Sequence, residues 1–121
     1  MADVPRFAVD AFLRQAKELI GQGHRKFLPR DKNLALLAQY GLTHQQRLQI
    51  LLEITSDDFC HCDEPPEGRR GLGYVFKRVV PHETSTIDVY IKLKIVPSEV
   101  HDWLICISFH EAEAPMRYMY R

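Results

Sequence analysis

The sequence predicts an α+β domain, with N-terminal helices packed on one face of an antiparallel sheet of three strands or slightly more. Three observations predict it. Apolar residues recur at helical spacing only in the first half of the chain, and Asp88 to Val96 alternates strictly between apolar and polar residues. Between the halves, Cys62-Asp63-Glu64-Pro65-Pro66-Glu67-Gly68 has the composition of a loop.

The elements follow in order. From Phe7 to Ile20 the residues Ala8, Phe12, Ala16, Leu19 and Ile20 form one apolar stripe, and Gly21 and Gly23 end the helix. Lys26-Phe27-Leu28-Pro29 reads as a short extended link, because the residue before proline avoids helical geometry. Asp31 or Asn33 then caps a second helix through Leu34, Leu37, Ala38 and Tyr40, closed by Gly41. Thr43-His44-Gln45-Gln46 is a capping box that opens a third helix containing Leu48, Ile50, Leu51 and Leu52. Thr55 caps a single turn, Ser56-Asp57-Asp58-Phe59.

Three strands are expected beyond the break, Gly73 to Val80, Ile87 to Val96 and Trp103 to Phe109, joined by Pro81 to Thr86 and Pro97 to Asp102. In the middle one Val89, Ile91, Leu93 and Ile95 face the core, leaving Asp88, Tyr90, Lys92 and Lys94 in a row on the other side. Same-side neighbours are then about 7 Å apart, close to the phosphate spacing of an extended single-stranded nucleic acid. In the last strand Ile107 and Phe109 are expected inside, with Ser108 and His110 outside. The outward face is expected to be uncovered, and the tail, Ala114 to Arg121, to lie back across the body because of its aromatic and thioether content.

Length and composition restrict the function. At 121 residues, 45% hydrophobic, the chain fits one domain over 1–121: a helical half over about 7–60, a meander over about 72–110 and a tail over 111–121. It has no run of about 18 apolar residues, and its first residues do not have the pattern of a secretory leader. Three cysteines suit a reducing compartment, so a cytoplasmic location is expected, with no membrane partner. Sixteen basic and sixteen acidic residues cancel, which argues against a simple polycation. Asp57, Asp58, Asp63, Glu64 and Glu67 crowd one stretch free of Lys and Arg, read as a solvated loop. Cys60-His61-Cys62 is too compact to supply three tetrahedral metal ligands, and no metal or other cofactor is expected. His24, His44, His82 and His101 fall in caps, turns and loops and are assigned no role.

The order and separation of the Leu-rich helix, Thr55-Ser56-Asp57-Asp58-Phe59, Tyr74-Val75-Phe76-Lys77, Val89-Tyr90-Ile91-Lys92-Leu93-Lys94-Ile95 and Ile107-Ser108-Phe109-His110 resembles the MqsR family of bacterial type II toxins, within the wider RelE and ParE superfamily. The resemblance covers about Phe12 to His110. It implies a RelE/ParE-like fold and an mRNA interferase, a metal-independent endoribonuclease that cuts messenger RNA, on or off the ribosome, and is silenced by a cognate antitoxin protein. The family's active-site positions fall on His61, Lys77, Tyr90 and His110. The family commonly carries lysine where this chain has His61 and His110, and glutamine where it has Lys77.

Metal-free RNA cleavage requires the 2′-hydroxyl to lose a proton, the added charge on phosphorus to be stabilised, and the leaving 5′-oxygen to gain a proton. Imidazole suits both proton transfers, whereas a phenol needs a cationic neighbour to act as base. His110 and His61 are therefore the proton-transfer candidates and Tyr90 an orienting or auxiliary acid–base group. Lys92 and Lys77 are the oxyanion stabilisers. Arg78, Lys94, Arg117 and Arg121 are expected to grip the RNA backbone. Two other classes use the same surface without titrating histidines: a ParE-like toxin that blocks a protein target such as DNA gyrase, and a non-enzymatic module that docks an acidic peptide.

Overall fold

The computed structural model describes residues 4–64 and 71–121, so the expected loop residues 65–68, Glu67 among them, lie outside the described residues. The elements are α1 (Arg6–Gly21), β1 (Arg25–Phe27), α2 (Asp31–Tyr40), α3 (His44–Glu53), a 3-10 turn (Ser56–Asp58), β2 (Phe59–Asp63), β3 (Gly73–His82), β4 (Ser85–Val96) and β5 (Trp103–Glu111). The sheet has five strands in the order β1-β5-β4-β3-β2.

Two of these strands correct the sequence reading. The link before Pro29 is β1, which pairs in parallel with β5, so the sheet is mixed and not wholly antiparallel. Cys62 and Asp63, expected in the loop, belong to the edge strand β2, where Asp63 pairs with Gly73. Short edge strands lack strong alternation and are easily read as coil. The β3–β4 hairpin is also tighter than expected, because pairing runs through Pro81↔Thr86 to His82↔Ser85.

The helices end and begin for local reasons. Gly23 and Gly41 adopt left-handed backbone angles, φ 80° and 65°, and His24 and Leu42 donate backbone hydrogen bonds to Leu19 and Leu37, closing α1 and α2. The Thr43–Gln46 capping box of α3 forms in both directions. Helix α2 has no side-chain cap: Asp31 is its first residue, and Asn33 is drawn into the interior instead.

One core joins the layers. Val9, Phe12, Leu13, Ala16, Leu19 and Ile20 of α1, Leu36 of α2 and Leu48, Ile50 and Leu51 of α3 pack with Phe76, Val89, Ile91, Leu93, Leu104, Cys106 and Phe109 of the sheet. Strand β4 keeps its expected alternation. Strand β5 does not: Leu104 and Cys106 face the core, and a bulge between the pairs Leu93↔Cys106 and Lys92↔Ser108 then reverses the parity. Ile107, expected in the core, is the inserted residue and is only half-buried.

Asn33 satisfies the polar groups that this irregularity frees. Only 1% exposed, its amide donates to Leu28 O and Ile107 O, both at 3.0 Å, and its oxygen accepts from Phe109 N at 2.9 Å. The acidic stretch is not the solvated loop expected. Asp58 is buried, accepting from Arg78 and Arg121 at 3.2 Å each, Asp57 pairs with Arg6, and Asp63 is a strand residue.

Candidate active site

The bulge of β5 builds the site. Had alternation continued from Leu104 and Cys106, Ser108 and His110 would point into the core; the extra residue turns both to the face of Lys92 and Tyr90. His110 is the cross-strand partner of Tyr90, and their rings stack with centroids 4.9 Å apart and 9° between planes. One rung along, Lys92 faces Ser108, whose hydroxyl accepts from Arg30 at 3.1 Å. A cavity of about 360 Å³ is lined by Arg30, Tyr90, Lys92, Ser108 and His110, with the tail residues Glu113 to Met116 forming its far wall.

His61 approaches from β2. Its Nε2 lies 3.2 Å from Asp63 Oδ1, while Asp63 Oδ2 receives Lys92 Nζ at 3.1 Å. Lys92 spans β3 to reach this carboxylate, and it does so over Gly73, where a Cβ would fall 2.5 Å from Lys92 Cε. A second cavity of about 750 Å³ is lined by Cys60, His61, Asp63, Tyr90 and the tail from Pro115 to Met119, with Arg121. Tyr90, Pro115 and Met116 line both cavities, so the two imidazoles lie on either side of Tyr90 under one strap.

The face expected to be uncovered is therefore partly roofed by the tail. Met119 N donates to Phe59 O at 2.9 Å, Tyr120 stacks on Phe59 and donates to Val4 O, and Arg121 holds Asp57 O and Asp58. Lys77, the cross-strand partner of Tyr90, donates to Met116 O at 3.4 Å and lies 4.6 Å from the Tyr118 ring centroid, so it holds the strap. Arg78 and Arg121 hold Asp58; Arg121 also borders the second cavity, whereas Arg78 lines neither cavity. Arg117 borders the second cavity, and Lys94 is half-buried one rung beyond Lys92, opposite Ile105.

Protonation states follow from partners. The Glu111 carbonyl, 3.0 Å from His110 Nδ1, can only accept, so Nδ1 carries the proton and Nε2 offers a lone pair. The Asp63 carboxylate, as an acceptor beside His61 Nε2, favours the tautomer with its hydrogen on that nitrogen. Burial pushes the Tyr90 phenol up from its ordinary value of 10, and the Asp63 charge adds to this while Arg30 opposes it. Tyr90 is thus a proton donor at neutral pH. Burial also pushes the Cys62 thiol up to about 11 and Cys106 to about 12, making both poor nucleophiles.

Among the described residues no three His, Cys, Asp or Glu side chains are grouped to hold a metal ion, and no helix is long and apolar enough to cross a membrane. The chain matches no protein-family model, no curated protein and no solved structure.

Sequence reasoning missed Asp63, Arg30 and Asn33. Asp63 was hidden by its neighbours Glu64 and Pro65, which suggest a loop. Arg30 carried a weak signal, a cation just after the Leu28-Pro29 break.

Proposed function

We propose that this chain is the toxin component of a type II toxin–antitoxin pair, a cytoplasmic metal-independent endoribonuclease with a RelE/ParE-like arrangement, neutralised by a cognate antitoxin. The observation that supports it is the stacked Tyr90–His110 pair, flanked one rung away by Lys92 and Arg30. A phosphate seated among these groups meets two cations, a hydroxyl and an imidazole lone pair. His110 Nε2 takes the proton of the 2′-hydroxyl, whose oxygen attacks phosphorus. Lys92 and Arg30 stabilise the added charge, and Tyr90 donates to a phosphate oxygen. As the P–O5′ bond breaks, His61, held by Asp63, supplies the proton to the leaving oxygen in its imidazolium form. The products are a 2′,3′-cyclic phosphate and a 5′-hydroxyl.

Incubating the purified chain with RNA in excess chelator, and sequencing both kinds of end, tests this reading. Cleavage with those ends is expected, falling about 10²- to 10⁴-fold in His110→Ala. Full activity in each of Tyr90→Phe, Lys92→Ala and His110→Ala would end it. Co-purification with the product of an adjacent short reading frame tests the antitoxin half.

A further inference from the structure

At the far end of the outer face, three rings that the cleavage chemistry leaves unused are packed together. The His24 and His101 rings stack with centroids 3.6 Å apart and 9° between planes, and both meet Trp103, His101 at 4.6 Å and His24 edge-on at 5.9 Å. Lys26 Nζ lies 4.5 Å from the Trp103 ring centroid, so a cation covers the indole. None of the three rings is fully buried. Among the described residues His24 Nδ1 makes no hydrogen bond, so ring packing holds His24, while His101 is also fixed by its Nδ1 contact with Asp102 O at 2.8 Å.

The register joins this cluster to the cleavage site. From the Tyr90↔His110 pair, successive outward pairs are Lys92↔Ser108, Lys94↔Ile105 and Val96↔Trp103, with Lys26 on β1 beside Ile105. Six residues of β4 separate the first pair from the last, about 20 Å of strand. Extended single-stranded nucleic acid covers that distance in about three nucleotides. The intervening outward positions hold cations: Lys92 and Arg30, then Lys94 and Lys26.

We propose that Trp103, with His24 and His101 behind it, is a base-stacking subsite for single-stranded RNA about three nucleotides from the scissile phosphate. Lys94 and Lys26 hold the phosphates between. Lys26, exposed and resting on the indole face, moves from the ring to a phosphate as a base takes its place. This inference rests on the reading of the outer face as an RNA-cleaving surface.

Trp103 is the only tryptophan in the chain, so its emission reports the subsite directly. The probes are 2′-O-methyl oligoribonucleotides of two and six residues, which cannot be cleaved. The hexamer is expected to quench Trp103 emission saturably while the dimer does not. Trp103→Ala is expected to weaken hexamer binding, followed by anisotropy, about 5- to 150-fold. Lys26→Ala, an exposed change with little risk to folding, is expected to weaken it less and to lower its salt dependence. Hexamer binding without quenching, or equal binding by Trp103→Ala, overturns the proposal. So does RNA cleavage by a chain that binds hexamer no better than dimer, and the nuclease reading would then survive alone. Quenching and length dependence in a chain that never cleaves RNA would support the subsite and remove the nuclease.

Discussion

Replacing Asn33 by alanine removes the clamp that holds the β5 bulge, and the structure gives the size of the effect. Three hydrogen bonds of 2.9–3.0 Å are lost from a side chain 1% exposed, to Leu28 O, Ile107 O and Phe109 N. At about 1 kcal/mol each, with a further penalty for the buried Phe109 N–H left unpaired, the loss is about 3–5 kcal/mol. That is a large share of the 5–15 kcal/mol typical of a domain, and lowers the melting temperature by about 12–20 °C. Urea unfolding followed by Trp103 emission measures it. Asn33→Asp supplies a second, signed test. The new carboxylate still accepts from Phe109 N, but faces two carbonyls and must be protonated to donate its single O–H to either of them, so its folded pKa rises above the unfolded carboxylate value. The native state then holds the proton more tightly. The variant is expected to be most stable relative to wild type at acid pH and to lose ground as pH rises through that raised pKa. A loss below about 1 kcal/mol in Asn33→Ala, or a flat pH response in Asn33→Asp, would refute the clamp.

Three further outcomes are expected. Gly73→Ala places a methyl where Lys92 crosses β3 and displaces the ammonium from Asp63; RNA cleavage should fall about tenfold or more with stability changed by less than about 1 kcal/mol, since the half-exposed ion pair contributes little. Burial, with Arg47 and Arg25 nearby, holds His44 below its ordinary pKa, and Arg47 donates to its Nδ1 at 2.9 Å. The unfolded chain therefore binds this proton first, stability falls as pH drops through 6.5 towards the lowered value, and His44→Gln should flatten that slope in thermal melts. With its pKa near 11, Cys62 is about one part in a thousand thiolate at pH 8, so native-state labelling by a disulfide reagent should be slow and speed up on unfolding.

What was legible in the sequence follows periodicity and caps. Strict alternation in β4 fixed its faces, and Thr43 with Gln46 fixed the start of α3, because each signal is local and unambiguous. Strand β5 was misread at Ile107 because Leu104, Ile105, Cys106 and Ile107 are all apolar and fit either parity. What decides between them is Asn33, seventy-six residues from Phe109 in the chain, a long-range polar contact with no local trace. Edge strands β1 and β2 have three and five residues, too short for a period to emerge. The expectation that Ser108 and His110 share a face with Tyr90 and Lys92 agrees with the structure, although the reasoning behind it assumed an unbroken strand.

The arrangement of the two histidines narrows what Tyr90 can do. Parallel rings 4.9 Å apart present π-faces to each other, so His110 does not draw the proton from the phenol. Burial and Asp63 both disfavour the phenolate and outweigh Arg30, and Lys92, its same-face neighbour, is already paired with Asp63. Proton abstraction in the proposed reaction therefore falls to His110 Nε2, whose lone pair is left free when the Glu111 carbonyl holds the proton on Nδ1. Tyr90 contributes a flat wall and a donor. The same carboxylate that neutralises Lys92 orients His61, so an incoming phosphate competes with Asp63 for the ammonium. Freed of Lys92, Asp63 is left to the imidazole alone, at the step where a protonated His61 is required. In the proposed reaction, phosphate binding and acid positioning are thereby linked through one side chain, Asp63.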